Sequence, residues 1–302
     1  MVEKVKMQHY VPRVYLQNFC TQEGDNYIIN CYDKTDSHKF KTDIKNVAME
    51  KFFYDTDKDV NQEVEKSLGD IEGSFNTVYQ KLVENEDLTV LNEEERGVIS
   101  SFVATQLIRT KEYREGYEFS IKSLKSLLSN ENMTEELRKQ LEEVTSDEGI
   151  KENHISMLKE FPQTTIPLLN KKKWILIINK TTMLYTTSDH PITLYNPEIT
   201  SHGIESPGIQ IFFPLNPRLC LAIVDPSLYA HHSNKIESTD IENSKLMNYL
   251  QVARSNRFIF SSTDDFSVAD DVLTKKPDFR DPNRKRGTWQ YLDKTKMMYT
   301  PD

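Results

Sequence analysis

Two polar residues on the apolar face of a predicted helix are the first candidates for chemistry. The helix begins after Asn92, and its apolar residues are Val98, Ile99, Phe102 and Val103. With Val98 at zero and about 100° of rotation around the helix axis per residue, the apolar face centres at about 70°. Gln106 then lies at about 80° and Arg109 at about 20°, on the same face. A guanidinium on that face is costly to bury unless a carboxylate or a ligand anion pairs with it. Arg109 is therefore either an anion-binding or catalytic residue beside an orienting Gln106, or part of a buried structural salt bridge.

Two glutamates on the preceding predicted helix are natural partners for Arg109. Glu65 and Glu72 are seven residues apart, so both fall on one flank of the apolar stripe. Paired carboxylates can hold a divalent metal or do acid–base work, and Glu72 is the candidate metal ligand. Glutamates on a helix flank also commonly face solvent, and this interpretation stays open for both.

His9 is a further candidate, near the start of the chain. It lies in the segment Gln8–Pro12, where the proline holds Val11 extended and gives His9 a defined position outside a regular helix. An imidazole there can act as a general base or acid, donate to an anion, or form a hydrogen bond within the core. The residue types leave these roles open.

Asp189 lies at the end of a predicted strand, in the segment Thr186–Pro191. Aspartate and serine at strand ends commonly cap the following turn, and Pro191 favours that role. Loops at strand ends also carry catalytic carboxylates. Both roles remain open for Asp189.

Hydrophobic periodicity predicts the elements that must position these candidates. A first hairpin pairs Tyr27–Tyr32 with Lys39–Thr42, and a second pairs Trp174–Ile178 with Met183–Thr187. Helices are predicted over Val60–Leu82, from Asn92 onward, and over Gly116–Ser129, Thr134–Val144, Glu152–Glu160 and Thr239–Arg254. Pro162 is expected to end the fifth of these. The remaining strands are Ile209–Phe213, Leu219–Val224 and Arg257–Ser261.

This order of elements predicts an α+β fold, in which a central helical block packs on a mainly antiparallel sheet. Residues 1–262 are expected to form a single α+β domain, and residues 263–302 a polar C-terminal tail. The basic cluster Arg284–Arg286 in that tail is expected to be solvated.

Composition excludes several classes of function. The longest apolar run, Trp174–Ile178, has five residues, far short of a membrane span, and the opening residues lack the apolar stretch of a signal peptide, so a cytoplasmic protein is expected. Three cysteines with no CxxC pair disfavour a disulfide framework or a common zinc site. The net charge of −9 opposes sequence-independent attraction to nucleic acid, although a local basic groove remains compatible with it. The common nucleotide, zinc-protease and serine-hydrolase signatures are also missing.

The opening segment resembles that of a known family. The pattern His9-Tyr10-Val11-Pro12-x-x-Tyr15-Leu16-x-x-Phe19 is similar to the first motif of the DUF4238 proteins. The similarity continues in Asn46-Val47-Ala48, Gln106-x-x-Arg109-Thr110, Ser188-Asp189-x-Pro191 and Pro214-Leu215-x-Pro217, over about residues 7–262. His190 stands where the family motif has Asn. The resemblance implies one full-length domain and no known reaction, and it places the candidate residues in family motifs, which favours a common site.

Two functions remain open. In the first, the protein is a hydrolase, in its narrowest form a nuclease, that acts on a phosphate-containing or nucleic-acid substrate. Arg109 would hold the anion and stabilise developing charge, while Gln106 would position substrate or water. His9 would act as general acid or base, oriented by Asp189. In the second, the chain is a non-catalytic ligand- or protein-binding protein whose polar residues form a structural network. The cofactor requirement and oligomeric state stay open in both.

Overall fold

The helices follow the hydrophobic periodicity and the capping residues of the chain. A computed structural model describes residues 4–59, 61–128, 134–197, 203–291 and 297–301. The helices in these residues are α1 (Arg13–Leu16), α2 (Glu63–Asn85), α3 (Glu93–Ile108), α4 (Lys111–Leu128), α5 (Glu135–Val144), α6 (Asp147–Lys171), α7 (Pro226–Tyr229), α8 (Ile241–Arg254) and α9 (Ser267–Lys275). Of these helices, none is apolar over enough residues to cross a membrane.

The strands form several small sheets. They are β1 (Met7–His9), β2 (Thr21–Glu23), β3 (Asn26–Asp33), β4 (Lys39–Asp43), β5 (Met49–Lys51), β6 (Lys173–Asn179), β7 (Thr187–Ser188), β8 (Thr193–Tyr195), β9 (Gln210–Asn216), β10 (Leu219–Val224), β11 (Lys235–Ser238), β12 (Phe258–Ser261), β13 (Gly287–Tyr291) and β14 (Met297–Pro301). One five-stranded sheet has the order β11-β6-β10-β9-β8, and only its β11–β6 pair is parallel. A second sheet joins β2, β3, β12 and β7, with β4 also paired to β3. The pairs β1–β5 and β13–β14 stand apart.

The α+β class is therefore confirmed, with the strands divided between separate sheets. Aromatic side chains join the helical block to the first sheet. The rings of Phe75 on α2 and Phe102 on α3 stack with centroids 3.6 Å apart, and Phe102 lies 5.7 Å from Phe213 on β9. Tyr15 of the N-terminal motif stacks on Phe213, and its hydroxyl is hydrogen-bonded to Thr187 and the Pro214 carbonyl. The motif thus connects both five-stranded sheets to the helices.

The start of α3 agrees with the sequence prediction in detail. The Asn92 side chain accepts from the Glu95 amide, and the Glu95 carboxylate accepts from the Asn92 amide, which is a complete capping box. This cap fixes where the helix begins. It therefore also fixes the face on which Gln106 and Arg109 lie near its end.

The predicted end of the α6 helix at Pro162 was wrong. Helix α6 continues through Pro162 and Pro167 to Lys171. A proline removes one helical hydrogen bond and crowds the preceding turn, so an isolated helix would be expected to stop there. In this chain, buried residues lie on both sides of the prolines, including Leu158 before them and Leu169 after them. Tertiary packing of both halves therefore outweighs the local cost.

The predicted hairpin of Trp174–Ile178 with Met183–Thr187 was also wrong. Strand β6 pairs with β10 and β11, and residues 183–186 form no strand. Side chains bind their backbone instead: Asn179 donates to the Met183 carbonyl, and Asn248 on α8 accepts from the Thr186 amide. The segment is therefore held by two amide side chains, one from the nearby end of β6 and one from α8, which is distant in the sequence.

Three further details differ from the predictions. Helix α4 begins at Lys111 and not at Gly116, because the Thr110 hydroxyl accepts from the Tyr113 amide in the first turn. The predicted last residue of this helix, Ser129, lies outside the described residues. Helix α8 is capped by Asp240 and not Thr239. Arg284 and Arg286 are not solvated, since their side chains are only 11% and 8% exposed. The domain boundary at residue 262 stays a prediction.

Candidate functional site

Arg109 lies at the junction of α3 and α4, and its hydrogen-bonding groups are filled by the protein. Its side chain is 2% exposed, and Nη2 donates to Glu72 Oε1 at 2.9 Å and to the His9 carbonyl at 2.8 Å. Its Nε lies 3.4 Å from the Tyr54 hydroxyl. Burial would lower the pKa of Arg109, but Tyr54 and Glu72 beside it outweigh burial and raise the pKa. The guanidinium is a permanent charge already neutralised by Glu72.

Gln106 lies one turn earlier on the same face of α3. Its Nε2 donates to the Tyr10 carbonyl at 3.0 Å, while its Oε1 is buried and has no hydrogen-bond partner among the described residues. Gln106 and Arg109 therefore bind two consecutive carbonyls, those of Tyr10 and His9. The residues of the second motif thus hold the backbone of the opening motif.

The backbone around the opening motif is strained at Ala48. Its φ of 51° lies in the left-handed region, which a small residue tolerates at lower cost than a bulky one. The Ala48 carbonyl accepts from the amides of Tyr10 and Val11, at 2.9 and 3.4 Å. The Asn46-Val47-Ala48 motif thus also serves to hold the opening segment.

The His9 ring sits in a half-buried position beside these contacts. Burial, followed by the positive charges of Arg13 and Arg109, lowers the pKa of His9 to about 4, although backbone hydrogen bonds with Ile44 and Lys45 oppose the shift. Its Nε2 is buried and has no hydrogen-bond partner among the described residues. The ring is consequently neutral near pH 7 and retains an unused nitrogen.

The two glutamates of α2 differ in environment. Glu72 pairs with Arg109, whereas Glu65 has a buried Oε2 with no hydrogen-bond partner in the described part of the chain. Burial raises the pKa of Glu65 to about 7, with Glu72 and Asp55 adding to the rise and Arg109 opposing it. Within the described ranges, no three His, Cys, Asp or Glu side chains converge as metal ligands. Glu72 therefore acts as the counter-ion of Arg109, and the geometry adds no support for a metal there.

Two residues of this cluster were missed in the sequence. Gln8 is fully buried, where its Nε2 donates to Asp55 and its Oε1 accepts from the Tyr54 amide. The Tyr54 hydroxyl in turn donates to the Arg109 carbonyl at 2.9 Å. Gln8 adjoins the opening motif and could have been suspected for that reason. Tyr54 carries no local signal.

Asp189 occupies a different environment. It is fully buried, with Oδ1 accepting from the Asn256 amide and Oδ2 from the amides of Arg257 and Phe258, all at 2.8 Å. Burial raises the pKa of Asp189 to about 6, opposed by these three donors and by the charge of Lys34. Its role is to order the chain entering β12. Among the described residues, no hydrogen bond joins Asp189 to the other predicted site residues.

The structure thus brings together His9, Gln106, Arg109 and the two glutamates, and it engages Asp189 elsewhere. A family model described as a protein of unknown function (DUF4238) matches residues 7–265. The chain belongs to the DUF4238 family. The resemblance predicted from the motifs is confirmed. No curated protein and no solved structure matches the chain.

This DUF4238 chain has a cavity that the motifs did not indicate, of about 250 Å³, lined by none of the predicted site residues. It lies between β5 and the helices α4 and α6, and Arg114 and Lys151 line it. A second cavity, of about 210 Å³, lies near Asn248 and Phe266. Neither cavity is lined by the residues predicted from the sequence to form the site.

The two cations of the first cavity are bound only to neutral groups. Arg114 Nη2 donates to the Phe53 carbonyl at 2.7 Å and its Nε to His154 at 3.0 Å, while its guanidinium lies 3.5 Å over the Phe53 ring. Lys151 Nζ donates to the Phe52 carbonyl at 2.8 Å. Burial lowers the pKa of Arg114 to about 10, and burial and then the charge of Arg114 lower the pKa of Lys151. No sequence pattern links these residues, because they belong to different helices.

The backbone of the cavity wall is strained at Phe52, whose φ of 52° is unusual for an aromatic residue. Its amide donates to the Lys6 carbonyl, and its carbonyl accepts from Lys151. Strained backbone of this kind persists only where the surroundings hold it, and it clusters at binding sites. In this backbone conformation the Phe52 carbonyl faces the Lys151 ammonium group.

Replacing Arg109 tests its structural role. In Arg109→Met, Glu72 and the His9 carbonyl lose their donor, so the free energy of unfolding in urea should fall by about 3–5 kcal/mol. The double variant with Glu72→Leu should recover part of that loss, because no unpaired carboxylate remains. Arg138→Met, at an exposed position on α5, is the matched control. A loss below about 1 kcal/mol for Arg109→Met would contradict the assignment.

The raised pKa of Glu65 predicts a pH dependence. Between its ordinary pKa of 4.5 and its folded pKa of about 7, the folded state binds more protons, so Glu65 lowers stability as pH rises through this window. Because Glu65 is partly exposed, the effect should be about 1 kcal/mol. Glu65→Gln should therefore gain stability over wild type between about pH 5 and about pH 8, measured by urea denaturation. The lowered pKa of His9 makes stability rise with pH, the opposite effect. Because the wild type and Glu65→Gln both contain His9, its contribution cancels in the difference between them.

The control for this measurement is Glu63→Gln, an exposed position at the start of the same helix. The free energy of unfolding of Glu63→Gln should differ from that of the wild type by the same amount at about pH 5 and at about pH 8. An equally flat difference for Glu65→Gln would show that the carboxyl titrates normally in the folded protein.

Proposed function

We propose that this protein is a non-catalytic binding protein for a small anion, held in the cavity at Arg114 and Lys151. The observation that carries the proposal is the absence of a carboxylate partner for either cation: among the described residues, each donates only to neutral groups. Both cations are half-buried. A cation partly removed from water without a counter-ion is costly, and a second cation nearby adds repulsion. An anion between them would relieve both costs.

The acidic residues of the cavity wall do not fill this role. Three acidic residues line the cavity. The Glu50 carboxylate binds Lys111 Nζ at 2.9 Å, and Glu118 pairs with Lys122 one turn along α4. Asp147 is exposed, and among the described residues it forms no ion pair with Arg114 or Lys151. Arg114 presents a planar fork, which suits the two oxygens of a phosphate or carboxylate. The ligand class is therefore a small phosphate- or carboxylate-bearing molecule.

Arg109, the arginine singled out by its sequence position, is the weaker candidate for anion binding. Its guanidinium is neutralised by Glu72 and almost fully buried. An incoming anion would have to displace Glu72 and leave it unpaired. The net charge of −9 and the small volume of the cavity, about 250 Å³, both favour a small anion over nucleic acid.

Removing either cation should weaken anion binding. We expect inorganic phosphate, or one of a panel of small phosphates and carboxylates, to raise the melting temperature of the wild type. Lys151→Met and Arg114→Leu should each weaken binding at least tenfold in calorimetric titration, since each removes a charge-assisted hydrogen bond. Lys159→Met, an exposed lysine on the same helix, removes the same charge away from the cavity and should bind as wild type does.

Two results would overturn the proposal. One is a wild type that binds no member of the panel. The other is undiminished binding by a folded Lys151→Met, which is the milder of the two cavity variants because Arg114 also packs on Phe53.

A second candidate function is hydrolysis at the cluster around Arg109. It is favoured by the opposite pKa displacements of two neighbours of Arg109: Glu65 would carry a proton near neutral pH, and His9 would not. Such a pair can divide the roles of general acid and general base. Each also retains a buried polar atom with no partner among the described residues. In this scheme Asp189 has no direct part.

The hydrolase candidate predicts that His9→Gln and Glu65→Gln each lower kcat at least about 100-fold, with folding retained. The assay is release of phosphate or nucleotides from nucleoside phosphates, RNA and DNA, with and without divalent metal. Glu63→Gln is the control. A wild type inactive on every substrate, or variants as active as the wild type, would exclude this candidate.

A further inference from the structure

A second site, independent of the anion cavity, lies at the start of α4. We define the acidic notch as Glu112, Glu115 and Asn256. The Asn256 side chain donates to Glu112 Oε2 at 3.1 Å and to Glu115 Oε2 at 2.6 Å, so it holds the two carboxylates together. Burial would raise the pKa of Glu112, but two arginines outweigh burial and lower it. The notch therefore contains charged carboxylates in a buried place.

The notch is occupied by a guanidinium of the same chain. Arg286 Nε donates to Glu112 Oε1 at 3.1 Å, and its Nη2 donates to Glu112 Oε2 at 3.0 Å and to Glu115 Oε2 at 2.9 Å. Arg284 Nη2 adds a contact to Glu112 Oε1 at 2.8 Å. A planar fork on both oxygens of one carboxylate is a geometry that arginine provides and lysine does not. The notch is thus built for a guanidinium.

The arginines belong to a short segment, residues 281–286, which we call the strap. It follows Arg280, whose Nη1 is anchored to the Lys34 carbonyl and the Ser37 hydroxyl. The strap lies after the family match, which ends at residue 265, whereas Glu112, Glu115 and Asn256 lie within it. The occupant therefore lies outside the matched family region, and the notch lies within it.

One donor of the strap finds no acceptor in the notch. Arg284 Nη1 is buried and has no hydrogen-bond partner in the described residues, which is a cost that another ligand could avoid. An emptied notch would be costlier still, because it would leave a buried carboxylate unpaired. Exchange is therefore favoured only when another guanidinium replaces the first.

We infer that the acidic notch is an arginine-recognition site, and that the strap is an internal ligand which an arginine-bearing peptide segment of a partner protein displaces. Because the strap is attached to the chain, it competes at high effective concentration and lowers the apparent affinity for a free peptide. The partner is an exposed basic segment with arginines, which also suits the net charge of −9.

The test uses the full chain and a fluorescein-labelled peptide with the sequence of residues 281–286. The variant Arg284→Ala/Arg286→Ala frees the notch and should bind this peptide at least tenfold more tightly than the wild type, measured by fluorescence anisotropy. A matched peptide with lysine in place of both arginines should bind at least tenfold more weakly. Adding Glu112→Gln and Glu115→Gln should abolish binding of the arginine peptide.

Three outcomes would overturn the inference: equal binding by wild type and the freed variant, no binding by the folded freed variant, or equal binding of the two peptides. Circular dichroism and the melting temperature establish folding. If the double variant does not fold, Arg286→Lys takes its place, since it keeps the charge and loses the fork. Peptide affinity should then exceed that of the wild type, with the same preference for arginine, and an affinity equal to that of the wild type would overturn the inference.

Discussion

The pairing of the buried Arg109 guanidinium is the interaction on which the arrangement of helices and N-terminal segment depends. A charge removed from water is tolerated only when its donors are filled. Here Glu72 comes from α2 and a carbonyl from the β1 residue His9. The Tyr54 hydroxyl lies 3.4 Å from Nε and donates to the Arg109 backbone carbonyl at 2.9 Å. Three segments far apart in the chain are thus tied to the end of α3, and none can shift without breaking one of these contacts.

The family motifs have a common explanation in this requirement. Gln106 and Arg109 bind the backbone of the opening motif, and Ala48 accepts from the next two amides of that motif. Asp189 does a comparable task for the other five-stranded sheet by accepting three amides at the start of β12. The motif residues are therefore polar because they hold backbone groups in buried places. Such a role needs no substrate, and it accounts for why the predicted site residues lie in two separate networks.

Local features of the fold were predictable, and long-range partners were not. The capping box at Asn92 and the helical phase of Arg109 depend on residues within a few turns, so the inward direction of the guanidinium followed from spacing. Spacing left Glu65 and Glu72 both open as its partner, and only the fold selects Glu72. The partners of Asp189 lie about 70 residues away, and nothing near Asp189 signals them. Pro162 failed as a helix end for the same reason, since the packing that carries α6 past it is tertiary. Local sequence thus determines which way a side chain points from its helix, whereas its bonding partners depend on the whole fold.

The contrast between two arginines five positions apart is the basis of the anion-binding proposal. The Arg109 guanidinium pairs with the Glu72 carboxylate, so its charge stabilises the fold. Arg114 has only a carbonyl and an imidazole, and it shares a cavity wall with Lys151. A counter-ion or an apolar residue at position 114 would avoid the cost of a partly buried cation without a negative partner. In the proposed function, a bound anion supplies that negative charge to Arg114 and Lys151, beside the strained Phe52.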